Sequence, residues 1–186
     1  MDNSGTIDGS DRRVIGKATP DFTVGWNNTL TYKNWDLNLF FNGAFGADRL
    51  NLARFTMASM VGDSRFITLR EAYTDNFDKV GQSAIYPGLK VAGNNYQAVS
   101  TKWVEDASYV RLENISLSYN LSKKVTKFAD IRLTLSCQNL FTITGYKGMD
   151  PVGTTFSNDN VDVDAGIDMG AYPTPRTFTF GVRMNF

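Results

Sequence analysis

The side chains of this sequence best suited to binding an ion are carboxylates near its start. Within residues 2–11, with Gly5 in the turn, oxygens could come from Asp2, Ser4, the Thr6 carbonyl, Asp8 and Asp11. Oxygen donors spaced in this way around a turn glycine match the later positions of a calcium-binding loop. The first ligand position would precede the first residue. We therefore favour a solvated turn and keep Ca²⁺ binding as the weaker alternative.

A second group of aspartates falls in the last third of the sequence. It consists of Asp159, Asp162, Asp164 and Asp168. Their spacing defines neither a carboxylate pair for acid–base chemistry nor a metal-ligand pattern, so a solvated loop is favoured over a cation site. We predict no cofactor beyond the weak Ca²⁺ alternative.

The side chains on which most enzymes depend are missing. There is no histidine and only one cysteine, Cys137, which excludes Ser-His-Asp and Cys-His catalysis and any internal disulfide. Cys137 is in phase with Ile131, Leu133 and Leu135, so a small apolar filler is favoured over a reactive thiol. We expect no enzyme activity.

Charge and hydropathy restrict the partners. Nineteen basic residues balance nineteen acidic ones, which does not favour nucleic acid. Apolar residues never run beyond three in succession, so no transmembrane helix is predicted. The first residues lack the basic and apolar regions of a signal peptide, and we expect the chain to be part of a longer protein.

The elements that must position these side chains are long strands. Residues 176–186 alternate strictly, with the apolar side chains of Phe178, Phe180, Val182 and Met184 on one face. About 9–11 residues suffice for a tilted strand to cross a bilayer. The same alternation also fits a soluble sheet with one buried face.

Four further segments show this period of two. They are residues 22–32, 35–45, 109–121 and 130–143. A phase change in the third predicts a bulge near Glu113. Short connections at 33–34 and 122–129 alternate with long ones at 46–107 and 144–175. In the first long connection we predict a helix capped by Asp48 and a second helix over Arg65–Tyr73.

Short and long connections at opposite ends of five antiparallel strands are typical of an up-and-down transmembrane β-barrel. The polar face is rich in Thr, Ser, Asn and Gln, which suits a hydrated lumen. The alternative from another class is a soluble β-sandwich that binds carbohydrate through its loops, in which the apolar faces would meet in a common core.

Several segments carry a resemblance to one family. They are Asp11–Gly16, Pro20–Gly25, Trp35–Gly46, Val104–Leu117, Gln138–Pro151 and Gly166–Phe186. In this order they resemble the SusC/RagA family of TonB-dependent outer-membrane transporters over essentially the whole chain. One departure is Phe77, where a tryptophan is usual.

The resemblance implies that the chain corresponds to the last five strands of a barrel of about 22 strands with a plugged lumen. Such transporters import glycan or peptide fragments with a SusD-like surface lipoprotein and draw energy from the TonB complex. The plug domain is absent from residues 1–186. We therefore expect no transport by this chain alone, and we expect its last strand to be read by the barrel assembly machinery.

The resemblance also implies an outer-membrane location, with Phe186 periplasmic and the long loops extracellular. Arg132 and Arg183 would then face the lumen. Among the loop aromatics, Trp103, Tyr146 and Tyr172 are candidates to contact a ligand or the lid protein, with packing inside the loops as the favoured alternative.

Overall fold

A computed structural model describes residues 9, 12–58, 69–86, 99–153 and 166–186. In chain order the elements are β1 (Phe22–Tyr32), β2 (Trp35–Phe45), β3 (Asp48–Asn51), α1 (Leu52–Ala58), α2 (Arg70–Thr74), α3 (Phe77–Val80), β4 (Val104–Asp106), β5 (Tyr109–Leu121), α4 (Lys123–Thr126), β6 (Asp130–Thr144), β7 (Ile167–Asp168) and β8 (Thr177–Asn185). The prediction of an all-β chain with short helices in its long connections is confirmed.

The chain divides into two compact units. One, the sheet unit, comprises Pro20–Ala47, Ala107–Gly145 and Pro173–Phe186. The other, the loop unit, comprises Met1–Thr19, Asp48–Asp106 and Tyr146–Tyr172. In the described residues, no helix has both the length and the apolar composition needed to span a membrane.

The sheet unit is one antiparallel sheet of five strands in the order β1-β2-β5-β6-β8. The two-residue turn at Lys33 and Asn34 joins β1 to β2, and Lys33 adopts a positive φ of 53°. A left-handed residue in a two-residue hairpin turn matches the twist of the flanking strands. The first two strands therefore form one long hairpin.

The register of the sheet places side chains of one character in each transverse row. One apolar row consists of Leu30, Leu37, Leu117, Leu135 and Phe180. The adjacent polar row consists of Thr29, Asn38, Ser116, Ser136 and Thr179. Because successive residues point to opposite faces, one face of the sheet is apolar and the other is polar.

A bulge at Glu113 preserves this separation. Toward β2, Phe40 pairs with Asn114 and Phe41 pairs with Leu112, so Glu113 has no partner in the ladder. The shift places Leu112 opposite Phe41 on the apolar face of the sheet, although Leu112 is out of phase with Ile115 in the sequence. The predicted bulge is confirmed, and the Glu113 carboxylate accepts a hydrogen bond from Asn42 at 2.6 Å.

Gly43 marks a place where two strands approach too closely for a side chain. A Cβ added there would lie 2.8 Å from the backbone oxygen of Tyr109. We expect Gly43→Ala to lower the free energy of unfolding by about 1–3 kcal/mol, because the β2–β5 ladder must shift. Gly181 is the matched control, since its added Cβ would meet nothing closer than 4.0 Å. Urea unfolding of both variants measures the difference, and equal destabilisation would contradict this account.

The loop unit contains a small three-stranded sheet in which β3 pairs antiparallel with β4 and parallel with β7. The prediction that Asp48 caps a helix is wrong. Asp48 begins β3, and its backbone N–H donates to Lys17 O at 2.7 Å. The cap is instead Asn51, whose side-chain oxygen accepts the Arg54 N–H at 2.9 Å. The second predicted helix is described only from Arg70 to Thr74.

Candidate functional site

One group of charged side chains on the polar face of the sheet lies near the short turns. The Asp36 carboxylate accepts hydrogen bonds from Thr31 at 3.1 Å and from Asn120 at 2.9 Å. It also pairs with Arg132 at 3.2 Å. β1, β2, β5 and β6 each contribute one of these side chains, so the network fixes four strands at one level of the sheet.

Arg132 and Arg183 occupy directly opposite positions on β6 and β8. Both lie on the polar face, because they share a row with Asn120. Like charges directly opposite one another destabilise a sheet unless a counter-charge or water separates them. Asp36 supplies that counter-charge to Arg132. The sequence pointed to both arginines but missed Asp36.

The loop unit contains a cavity of about 780 Å³, a size typical of small-ligand sites. Its apolar lining includes Met57, Leu69, Met149 and Met169. Methionine is flexible and polarisable and adapts to irregular apolar surfaces. The wall therefore suits the apolar portion of a ligand.

Charged side chains also line the cavity, and one of them, Arg54, is paired with two carboxylates. The Arg54 guanidinium lies 2.5 Å from Glu71 and 3.4 Å from Glu105. Tyr86 receives a hydrogen bond from Arg54 at 3.1 Å and donates to Glu71 at 3.2 Å. The network holds α1, α2 and β4 together. Nothing in the sequence pattern distinguished Arg54 from other surface arginines.

A second network lies at the end of β7. The buried Asp168 carboxylate accepts hydrogen bonds from the Tyr146 hydroxyl at 2.6 Å and from the backbone N–H groups of Gly170 and Ala171 at 2.8 and 2.9 Å. Burial, followed by the hydrogen bond to Asp168, raises the pKa of Tyr146. Tyr146 therefore remains a neutral donor, and the network orders the backbone beside the cavity.

The three candidate aromatics have different surroundings. Trp103 is only 2% exposed and packs in the core of the loop unit against Phe55, with ring centroids 5.4 Å apart. Tyr146 is also buried, in the Asp168 network. Tyr172 is 88% exposed. The first two rings are therefore buried within the loop unit, and Tyr172 alone of the three has an exposed ring.

The predicted calcium residues Asp2, Asp8 and Asp11 lie outside the described residues, as do Asp159, Asp162 and Asp164. Of that second group only Asp168 is described, and its hydrogen bonds are those of a structural carboxylate. Over the described ranges, no three His, Cys, Asp or Glu side chains are placed to hold a metal ion.

No protein-family model matches the chain. The chain is 37% identical, over all of its length, to the TonB-dependent receptor P3 of Formosa agariphila. It is 28% identical, over 98% of its length, to the TonB-dependent receptor SusC of Bacteroides thetaiotaomicron. It spans only 18% and 17% of those two receptors.

Solved structures show the same fold. The RagAB peptide importer in its open-open state matches 94% of the chain with a TM-score of 0.75 and 22% identity. In the closed-closed state it matches 98% of the chain with a TM-score of 0.68. The chain covers 18% and 20% of those structures, respectively.

Proposed function

Since the chain corresponds over its whole length to part of a TonB-dependent receptor, as its SusC/RagA resemblance predicted, we propose that it forms part of the wall of an outer-membrane importer. The imported substrates are glycan or peptide fragments, and a SusD-like lipoprotein is the partner at the cell surface. The relatives are receptors, so the prediction that the chain is not an enzyme is confirmed.

The observation that supports this proposal most directly is the separation of the two faces of the sheet. Side chains of the apolar face remain exposed, with Phe178 at 68%. The opposite face carries hydrogen-bonded Asn, Thr and Ser side chains such as Asn38, Thr29 and Ser118. A barrel wall needs lipid on the first face and water on the second. In the alternative soluble β-sandwich, the apolar face would be covered.

The unpaired outer edges of the sheet support the expectation that the chain alone would not transport. In the described sheet, β1 pairs only with β2, and β8 pairs only with β6. Unpaired backbone groups are costly in a bilayer. The two edges therefore pair with further strands of a complete receptor, which would also supply the plug and the contact with the TonB complex. The β8 edge is the segment proposed for recognition by the barrel assembly machinery.

The loop unit is the part proposed to meet substrate and the lipoprotein. Its cavity offers an apolar wall, and Tyr172 offers an exposed ring. In the proposed orientation, the short turns and Phe186 are periplasmic and the loop unit is extracellular. The Ca²⁺ site at Asp2, Asp8 and Asp11 stays a weak prediction.

A receptor chimera tests the proposal. In it, this chain replaces the stretch of the receptor P3 that it matches, and we call this protein the grafted receptor. A membrane-impermeant maleimide is expected to label Tyr172→Cys on intact cells. It is expected to label Ser122→Cys, in the short connection after β5, only after the outer membrane is permeabilised.

Tyr172 and Ser122 are both exposed, so accessibility within the protein does not distinguish them. The unsubstituted grafted receptor controls for labelling of Cys137, which is buried. Recovery of the protein in the soluble periplasmic fraction would overturn the membrane proposal. Reversed labelling of the two cysteines would overturn the orientation.

A further inference from the structure

The short connection between β5 and β6, residues 122–129, combines positive charge with exposed apolar side chains. Lys123, Lys124 and Lys127 are all exposed. Val125 and Phe128 between them are 67% and 55% exposed. A segment that serves only as a turn needs neither feature, because short turns are usually polar and small.

The lysines in this connection lie close together and lack carboxylate partners. They occupy α4 and its C-cap, where Lys127 has a φ of 68°. Lys127 follows Lys124 by three residues and Lys123 by four. The nearby Asp130 carboxylate accepts a hydrogen bond from the backbone N–H of Lys123 at 2.5 Å. In the described part of the chain, no acidic side chain pairs with the three ammonium groups. An anionic partner outside the chain would relieve their repulsion.

The depth of the connection in a bilayer identifies that partner. On the apolar face, Trp35 and Tyr119 pack with ring centroids 4.5 Å apart, and Tyr32 shares their row. Such aromatic rows sit at the membrane interface. Leu121, the last residue of β5, is two positions beyond Tyr119, or about 7 Å along the strand. The headgroup layer is roughly 5–8 Å thick on each side of the bilayer. Residues 122–129 therefore reach the headgroups.

We infer that residues 122–129 dock on anionic phospholipid headgroups of the leaflet at the turn end of the barrel. The three lysines bind lipid phosphates, and Val125 and Phe128 enter the acyl boundary. Lys33 adds a fourth cation at this end, with its ammonium 5.2 Å from the ring centroid of Tyr32. The inference rests on the proposed membrane location and goes beyond it by assigning a lipid-binding surface.

The test uses the grafted receptor with Val125→Cys carrying a bimane fluorophore, in vesicles that mix phosphatidylcholine and phosphatidylglycerol. Only one of the two lipids carries brominated acyl chains, which quench nearby fluorophores. We expect brominated phosphatidylglycerol to quench the label more strongly than brominated phosphatidylcholine at the same mole fraction. A lysine near an anionic surface contributes a factor of about five in lipid affinity. Lys123→Gln/Lys124→Gln/Lys127→Gln should therefore reduce the preference by at least about tenfold.

The matched control is Arg12→Gln/Arg13→Gln/Lys147→Gln, which removes the same charge from exposed positions of the loop unit. It should leave the lipid preference unchanged. Equal quenching by both lipids in the unsubstituted connection would overturn the docking inference while leaving the membrane location intact. Absence of quenching by either lipid would show that residue 125 lies outside the bilayer, which overturns the inference; a soluble receptor would overturn the membrane location itself.

Discussion

Replacing Phe178 with arginine is expected to lower the free energy of unfolding of the grafted receptor by about 2–4 kcal/mol, the cost of a cation at mid-bilayer on the lipid face of a barrel. Phe178 pairs with Cys137, which pairs with Ile115 in the same apolar row. Ile115 is four residues from Tyr119, or about 13 Å along the strand. Because barrel strands tilt by about 35–45° and the apolar band is about 25 Å tall, Ile115 lies close to the middle of the membrane. Phe178, two strands away in the same row, differs from it in depth by about 6 Å and lies within the apolar band. Urea unfolding in vesicles, followed by heat-modifiable gel mobility, measures the loss.

The neighbouring Thr179→Arg is the matched control. Thr179 lies on the same edge strand, but it pairs with Ser136 in the polar row. Water in the lumen would solvate an arginine there, so the expected change is within about 0.5 kcal/mol. If Phe178→Arg were tolerated as well as Thr179→Arg, the apolar face of the sheet would not be in contact with acyl chains.

The contrast between Phe178 and Thr179 also explains why the strands and the two faces of the sheet could be predicted from the sequence. All side chains of a transverse row lie on the same face of the sheet, so the polarity of each side chain indicates its face directly. The bulge at Glu113 could also be predicted, because Leu112 is out of phase with Ile115 in the alternating pattern. The two-residue turn at Lys33 and Asn34 was the only way to join two long strands that follow one another so closely.

The loop unit was less predictable because contacts distant in sequence determine it. Asp48 precedes a helix and looks like its cap, yet Leu50 pairs with Val104 and with Ile167, so residues 48–51 form a strand. Pairing across such separations overrides a local helix signal. The residue that caps the helix is Asn51, whose side-chain oxygen accepts the Arg54 N–H.

The candidate site was predicted in part for the same reason. An aromatic residue in a long loop has the same appearance in sequence whether it is buried, like Trp103, or exposed, like Tyr172. The salt-bridged Arg54 was missed because Glu71 and Glu105, its partners, are separated from it by unpatterned sequence. Side-chain positions in such loops are determined by packing contacts, which the periodicity of apolar residues in the sequence does not indicate.

Removing the Asp168 carboxylate should have the largest effect in the loop unit. Asp168→Ala would leave the buried Tyr146 hydroxyl and the N–H of the buried Ala171 without this acceptor, together with the N–H of the exposed Gly170. Each buried donor left unsatisfied costs about 1–3 kcal/mol, so we expect a loss of about 3–5 kcal/mol in local stability. Hydrogen exchange of the Gly170 and Ala171 amides measures it, because both are protected by this carboxylate.

Two milder substitutions separate the hydrogen bonds from mere loss of volume. Tyr146→Phe removes one donor and leaves the carboxylate its backbone partners, so the expected cost is about 1–2 kcal/mol. Asp168→Asn keeps the shape and one acceptor oxygen for the Gly170 and Ala171 amides, and it should fall between the other two variants. An Asp168→Asn variant as unstable as Asp168→Ala would mean that the negative charge, rather than the acceptor geometry, orders this segment. If exchange of both amides were unchanged in Asp168→Ala, the carboxylate would have no part in holding the backbone beside the cavity.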